Sequence, residues 1–148
     1  MSRHKSRQQA LEILFSREFH DENDIQYSEN EILEDDTAAV DDVPADEDEL
    51  SEQDEKKYCQ YLIETATAHK TELDEVIRSF AKGWDISRMN RTDRNIMRLA
   101  LCELMYPGEQ LPVSIILNEA IVLAKEYSGQ KSARFINGIL GAYVRSRS

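Results

Sequence analysis

Residues 111–143 constrain the fold most, because two helical patterns of apolar residues meet there across one glycine. In the first pattern, apolar residues recur at helical spacing around most of the circumference, so little of this helix is left for water. These residues are Val113, Ile116, Leu117, Ala120, Ile121, Leu123 and Ala124. Ser128 and Gly129 end the pattern, since glycine in the left-handed conformation satisfies the last carbonyls without a clash at Cβ. We therefore expect residues 111–128 to form the central, buried helix.

The second pattern predicts a helix that begins near Lys131. Its apolar residues form one stripe, which consists of Ala133, Ile136, Ile139, Leu140 and Tyr143. Gly138 and Gly141 weaken this helix in isolation and would allow another backbone to approach closely. Lys131 and Arg134 lie outside the stripe. A buried helix followed by a helix with a basic side indicates a helical core that carries a binding surface.

Length and composition indicate one all-α domain over residues 1–148. A chain of 148 residues is long enough for one substantial core, and five Gly and three Pro leave long helix-forming runs without alternating strand patterns. No apolar run approaches the length that spans a membrane, which predicts a soluble, cytoplasmic protein. Cys59 and Cys102 lie far apart within helical patterns, so we expect buried thiols rather than a disulfide or a metal pair.

The net charge of −11 is distributed very unevenly along the chain. Residues 21–55 contain 17 of the 29 acidic residues and neither Lys nor Arg, whereas the rest of the chain has 12 acidic residues against 18 Lys and Arg. A negative protein would ordinarily be a poor partner for nucleic acid, because phosphate binding depends on Lys and Arg. Outside this segment, however, the protein is basic.

Residues 21–54 form an acidic insertion that is dense in carboxylates and poor in aromatic residues. This composition predicts that much of the insertion is disordered. One interpretation is a passive, solvated linker, and the other is an internal polyanion that competes with nucleic acid for a basic surface. A calcium loop is disfavoured, because the ligand alternation and central glycine of such loops are absent.

Four further helical patterns complete the fold. Leu11, Leu14 and Phe15 mark a first helix over residues 3–19. A second helix over residues 51–68 is followed, after a break near residues 69–71, by a short helix that ends at Gly83. The inward-facing residues of these two helices are Tyr58, Tyr61, Leu62, Thr65, Ala66, Leu73, Val76, Ile77 and Phe80. Another helix follows Thr92 or Asp93, either of which can act as its N-cap.

Basic residues precede two of these helices. Arg3, His4, Lys5 and Arg7 stand at the front of the first helix, where cations oppose the positive end of the helix dipole and gain nothing for folding. A ligand-binding role and an ordinary solvated terminus both remain open for this run. Arg91, Arg94 and Arg98 are spaced by three and four residues, so they share one side of a helix. Of these we expect Arg98 to be structural.

The sequence shows no pattern of residues that is typical of an enzyme's catalytic site. A nucleophile with its base, a metal cluster and a glycine-rich phosphate loop are all missing, and no catalytic motif surrounds His4, His20 or His69. We therefore predict neither a catalytic site nor a metal or cofactor. Basic side chains on several helices are instead typical of a protein that binds nucleic acid.

Three blocks of sequence together resemble the NusB family of bacterial transcription antitermination factors, and the resemblance spans nearly the whole chain. The blocks are ALEILFSREF, KGWDISRMNRTDRNIMRLALCELMY and NEAIVLAKEYSGQKSARFINGIL. The strongest motifs in them are Asp93-Arg94-Asn95 with Arg98-Leu99-Ala100, then Asn118-Glu119-Ala120, and finally Phe135-Ile136-Asn137-Gly138-Ile139-Leu140.

The resemblance implies an all-α, NusB-like fold of two packed helical bundles with about seven helices. It also implies an RNA-binding adaptor rather than an enzyme. Proteins of this family bind single-stranded boxA RNA of nascent ribosomal RNA leaders together with NusE, a ribosomal small-subunit protein. Within the RNA polymerase antitermination complex they help the polymerase to resist termination.

The resemblance also assigns the RNA contacts by position. The N-terminal run of Arg3, His4, Lys5 and Arg7 would bind phosphates. A second group comprises Lys131, Ser132, Arg134 and Phe135, with Arg91, Asp93 and Arg94 nearby. Phe135 can stack on a base or anchor the core. A helical protein-interaction adaptor with incidental RNA contact, and a homodimer that hides the RNA surface, remain as alternatives.

Deleting residues 34–49 separates the two interpretations of the acidic insertion. If the insertion screens the basic surface, its removal tightens RNA binding at low salt and matters less at high salt. If it is a linker, the dissociation constant stays unchanged. A titration of fluorescent boxA-like RNA at two salt concentrations measures the difference.

Overall fold

The computed structural model describes residues 3–23, 51–83 and 89–147, with side chains up to residue 18 in the first range. Within these ranges the protein consists of six helices and no strand. The helices are α1 (Arg3–Asn23), α2 (Glu52–Ala68), α3 (Lys70–Phe80), α4 (Arg91–Met105), α5 (Val113–Tyr127) and α6 (Gln130–Ser146). The predicted all-α fold is confirmed. No described helix has the length and apolar character needed to cross a membrane.

The central helix is α4 rather than the helix over residues 111–128 that its apolar pattern predicted. Helix α4 packs against all five other helices, and an unbroken run from residue 93 to residue 103 is buried. Helix α5 packs mainly on α4 and α6 and is buried along one side only. Val113 and Ile115, at its start, are 43% and 47% exposed. The apolar pattern of α5 therefore exceeds what its position at the edge of the core can bury.

The helix boundaries follow local capping chemistry. Gly129, at φ 139°, separates α5 from α6, and a turn at His69 separates α2 from α3, so both predicted breaks are confirmed. Helix α4 is capped by Asn90, whose Oδ1 accepts hydrogen bonds from the amides of Thr92 and Asp93 at 2.7 and 3.4 Å. The prediction that Thr92 or Asp93 itself caps this helix was wrong by two or three residues. Helix α3 ends at Phe80, before Gly83.

Helix α6 buries the stripe that its sequence predicted. All five residues of that stripe are buried against the core. The expected close approach of another backbone at Gly138 is absent, because no described atom outside its own helical neighbourhood lies within 4 Å of the place where a Cβ would stand. Burial also holds the thiols of Cys59 and Cys102 in the protein interior as free cysteines, as predicted. It raises the pKa of Cys102 to about 12, which keeps that thiol protonated.

The predicted acidic insertion lies almost wholly outside the described residues. Its first residues, 21–23, belong to the end of α1, and residues 52–54 begin α2. Ser51 caps α2 by accepting a hydrogen bond from the amide of Asp54 at 3.0 Å. The disorder of the insertion and the single-domain organisation stay predictions.

Arg98 joins three helices through buried and partly buried hydrogen bonds, which confirms its predicted structural role. Its Nε and Nη2 donate to the two carboxylate oxygens of Asp74 on α3 at 2.7 and 3.0 Å. Its Nη1 donates to Glu18 on α1 at 3.2 Å and to Asn95 at 3.1 Å. These bonds and charges outweigh the burial that would lower the pKa of Arg98, so its pKa is raised.

We expect Arg98→Ala to lower the free energy of unfolding by about 3 kcal/mol, because it leaves Asp74 and Glu18 without their shared cation. Chemical denaturation followed by circular dichroism measures this loss. Arg78→Ala is the matched control, since Arg78 forms an exposed ion pair with Glu75 at 3.1 Å. Its effect should stay below about 0.5 kcal/mol. Equal effects of the two substitutions would contradict the structural role of Arg98.

Candidate RNA-binding surface

The first turns of α6 present the most accessible cations among the predicted site residues. Lys131 and Arg134 are exposed there because they lie outside the buried stripe of the helix. Within the part of the chain that the structure describes, neither side chain forms an ion pair. Ser132 and Phe135 are partly exposed beside them, and Phe135 also packs against the core. Two cations, a hydroxyl and an aromatic ring thus share one surface.

Asp93 lies directly beneath this surface and connects three helices. Its Oδ1 accepts a hydrogen bond from the hydroxyl of Ser128, at the end of α5, at 3.1 Å. Its Oδ2 accepts one from the hydroxyl of Ser132, in the first turn of α6, at 2.9 Å. Because Asp93 is itself in the first turn of α4, the N-termini of α4 and α6 are brought together. Both positive dipole ends therefore lie beside the same surface.

Arg91 and Arg94 are less accessible than Lys131 and Arg134. Arg91 is partly exposed at the start of α4, whereas Arg94 is buried with its Nη2 3.3 Å from Glu18. The arginine side predicted for α4 thus exists, but it faces α1 and α3 rather than solvent along most of its length. We name the surface formed by Lys131, Ser132, Arg134 and Phe135 the α6 face.

Arg7 does not lie on the surface where a phosphate contact was predicted. It is 3% exposed, and its Nε and Nη2 donate to the two oxygens of Glu103 at 2.7 Å each. The hydroxyl of Tyr58 donates to the same carboxylate at 2.6 Å. Burial would lower the pKa of Arg7, but its hydrogen bonds and attraction to Glu103 raise it. Arg7 is buried rather than exposed because the buried carboxylate of Glu103 requires a cation beside it.

His4 is likewise 7% exposed instead of facing solvent. Its Nδ1 lies 2.8 Å from Glu119 Oε1 and its Nε2 lies 3.2 Å from Glu126 Oε2, both on α5. The ring can donate to both carboxylates only when it carries a proton on each nitrogen. The hydrogen bond to Glu119 raises the pKa of His4, and the same contact helps to lower the pKa of Glu119 against the effect of burial.

Arg3 and Lys5 are the two partly exposed cations of the N-terminal run. Arg3 donates from Nε to Glu109 at 2.7 Å and lies over the ring of Tyr58, with 5.9 Å between Cζ and the ring centroid. Glu109 precedes α5, whereas Lys131 follows it, and a helix of 15 residues is about 22 Å long. Arg3 therefore lies near the start of α5, away from Lys131. His4, by contrast, contacts Glu119 and Glu126 in the middle and near the end of that helix, so the N-terminal run lies along α5 rather than at one end of it.

The acidic partners of these cations were not predicted from the sequence. Glu103 lies seven, four and three residues after Ile96, Leu99 and Ala100, so its position on the apolar side of α4 was a readable signal. A carboxylate on an apolar side requires a buried cation. Glu119 lies one residue before a buried alanine and gives no comparable signal.

Comparison with known proteins gives consistent results. The model of the NusB family matches residues 4–145. A transcription antitermination protein NusB of Acidothermus cellulolyticus is 38% identical over 141 residues, which cover 95% of this chain and 86% of the relative. The NusB of Clostridium botulinum strain Kyoto is 37% identical over 153 aligned positions, with 97% and 100% covered.

Two solved structures share the fold. The NusB of T. maritima superposes with a TM-score of 0.72 at 26% identity and covers 98% of this chain and 92% of that one. A chain in the crystal structure of antitermination factors NusB and NusE in complex with dsRNA superposes with a TM-score of 0.70 at 23% identity, and 99% of each chain is covered. The predicted NusB-like fold is thereby confirmed.

The contacts of His4 predict a pH-dependent stability. Because its pKa is raised in the folded protein, protonated His4 stabilises the fold fully below its unfolded pKa of about 6.5, and this stabilisation is lost as the pH rises through the folded pKa. We expect His4→Gln to lower the free energy of unfolding by about 1 to 2 kcal/mol at pH 6 and by much less at pH 9. Denaturant unfolding at both pH values measures it. If the two proteins differ in free energy of unfolding by the same amount at both pH values, protonated His4 does not stabilise the fold through its carboxylate contacts.

Proposed function

Because the chain belongs to the NusB family, we propose that it binds single-stranded boxA-type RNA of nascent ribosomal RNA leaders together with NusE. In this role it joins the RNA polymerase antitermination complex and helps the polymerase to resist termination. The protein acts as an RNA-binding adaptor and not as an enzyme. Its place of action is the cytoplasm.

The observation that carries this proposal is the pairing of exposed cations with two helix N-termini on the α6 face. Lys131 and Arg134 form no ion pair among the described residues, so they are available to phosphate oxygens. Phe135 is partly exposed beside them and can stack on an unpaired base. The complex of NusB and NusE with dsRNA contains a chain of the same fold, which supports RNA and NusE as the partner classes.

The N-terminal run contributes to this proposal in two different ways. Arg3 and Lys5 are accessible and are proposed as phosphate contacts at the far end of the bound strand. Arg7 holds α1 against α4 through the buried carboxylate of Glu103, and His4 holds α1 against α5 through Glu119. Both therefore position Arg3 and Lys5 rather than touching RNA. Arg94 supports the start of α4 from inside.

A protein-interaction adaptor remains the second candidate function, and one observation favours it. Val113 and Ile115 expose apolar surface at the start of α5, and Pro112 beside them is also exposed. Exposed apolar side chains grouped on one turn are typical of protein contacts. In the proposed complex they are a candidate surface for NusE, whereas in the adaptor interpretation the protein partner alone carries the function.

Substitution of the two cations tests the RNA-binding role. We expect Lys131→Ala and Arg134→Ala each to weaken binding of boxA-like and scrambled RNA alike and to reduce the salt slope by about one unit for each phosphate that is no longer neutralised. Fluorescence titrations with NusE present, at two salt concentrations, measure both quantities. Thermal melts should match the parent, because both side chains lie outside the buried stripe.

Arg147→Ala provides the matched control for these substitutions. Arg147 is an exposed cation 16 residues after Lys131, so it lies about 24 Å away at the other end of α6. Its removal should change neither affinity nor salt slope. If the Lys131 and Arg134 variants melt like the parent and still bind like the parent, RNA does not bind at the α6 face. Affinity for NusE that does not depend on RNA or salt would favour the adaptor.

A further inference from the structure

The carboxylate of Asp93 determines which way two serine hydroxyls point. Ser128 and Ser132 each place Oγ within hydrogen-bond distance of a different Asp93 oxygen, at 3.1 and 2.9 Å. A carboxylate offers only acceptor lone pairs, and a hydroxyl has one proton to donate. Both serines therefore donate their proton inward to Asp93.

This direction leaves Ser132 with acceptor capacity alone. Ser132 is partly exposed on the α6 face, next to Lys131 in the first turn of α6. Phosphate oxygens are themselves acceptors, so they cannot form a hydrogen bond with a hydroxyl whose proton is already committed. A group on RNA that approaches Ser132 must bring its own proton, and RNA offers the ribose 2′-hydroxyl and the exocyclic amines of its bases.

We propose that Asp93 is a positioning residue that fixes Ser132 as a hydrogen-bond acceptor for a donor group on the bound RNA. This inference rests on the proposed RNA-binding function and assigns different roles to the residues of the α6 face. Lys131 and Arg134 attract the phosphate backbone without regard to sequence, whereas Ser132 recognises a proton donor. Asp93 itself makes no RNA contact, because it is 7% exposed and both of its oxygens are occupied by serines.

The same carboxylate also holds the turn between α5 and α6 in place. Ser128 ends α5, Ser132 lies in the first turn of α6, and Gly129 between them has φ 139°, a region that other residues avoid. The amide of Gly129 donates to the carbonyl of Ala124 at 2.8 Å. Because these contacts hold the turn on both sides, the position of Ser132 on the α6 face is fixed. If Asp93 only held this turn in place, its loss would weaken binding of every RNA equally. If Asp93 also orients the hydroxyl of Ser132, its loss changes which RNAs are preferred.

The test uses the full chain with NusE and a series of boxA-like RNAs. Each RNA lacks one donor, either through a single 2′-deoxy substitution or through a base analogue without the exocyclic amine. These analogues are inosine for guanosine, purine riboside for adenosine and pyrimidin-2-one riboside for cytidine. The parent protein should lose about two- to tenfold in affinity at one position, the effect of one neutral hydrogen bond. The arm in which the loss appears identifies the donor as ribose or base.

Ser132→Ala should bind the unmodified RNA about two- to tenfold more weakly and show no further loss at that position. Ser132→Thr retains the hydroxyl and should restore the discrimination. Asp93→Ala removes both acceptor oxygens, so the hydroxyl of Ser132 is no longer held inward and the discrimination should shrink. Ser128→Ala is the control on the same carboxylate and should leave the discrimination intact.

Thermal melts of each variant separate binding from folding. If Ser132→Ala keeps the position-specific loss of the parent, or if the parent shows no such loss while binding RNA, the inference is overturned and the proposed function stands. If the parent binds no RNA at any salt concentration, the proposed function itself falls. Unchanged discrimination in Asp93→Ala, with a normal melt, would remove Asp93 from this role.

Discussion

A charge buried on the central helix requires a partner of opposite sign, and much of the structure depends on how α4 meets this requirement. Glu103, near the end of α4, forms an ion pair with Arg7 on α1. Arg98, in the middle of α4, forms ion pairs with Asp74 on α3 and with Glu18 on α1. Removing one member of a buried pair costs several kcal/mol, because the other charge stays in the interior. Each pair therefore fixes one neighbouring helix along α4. Apolar packing alone, which tolerates small slips, would specify these positions less sharply.

This arrangement also separates cations that support the fold from cations that are available to a ligand. Arg7, Arg94 and Arg98 face carboxylates inside the protein, and Lys131 and Arg134 face solvent. All five are basic residues on helices, and the sequence alone does not distinguish them. The difference arises from their neighbours in space. At the α6 face the dipoles of two helix N-termini add to the positive potential of Lys131 and Arg134, and the carboxylate of Asp93 beneath the face reduces it.

The sequence predicted the buried stripe of α6, the break at Gly129 and the exposure of Lys131 and Arg134, because each depends on spacing within one helix. It ranked α5 above α4 as the central helix because α5 is richer in apolar residues. Helix α4 buries Asp93, Asn95 and Glu103, which resemble surface residues until their partners are known. Those partners include Glu18, 77 residues from Asn95, and such pairings cannot be read from local periodicity. The same limit explains why His4 and Arg7 were expected on the surface.

The relative direction of α1 and α2 sets a lower bound on the length of the acidic insertion. Ser6 donates to the carbonyl of Glu55 at one end of the pair, and Arg17 lines the same groove as Thr67 at the other, so the two helices run side by side in the same direction. Neighbouring parallel helices cannot be joined by a tight turn, because the chain must return along the full length of the first helix. From Asn23 back to the level of Ser6 this distance is about 26 Å, which an extended strand of about eight residues can span. Residues 24–50 exceed that minimum more than threefold. The parallel arrangement of α1 and α2 therefore explains why the chain needs a long connection at this point, whatever its composition.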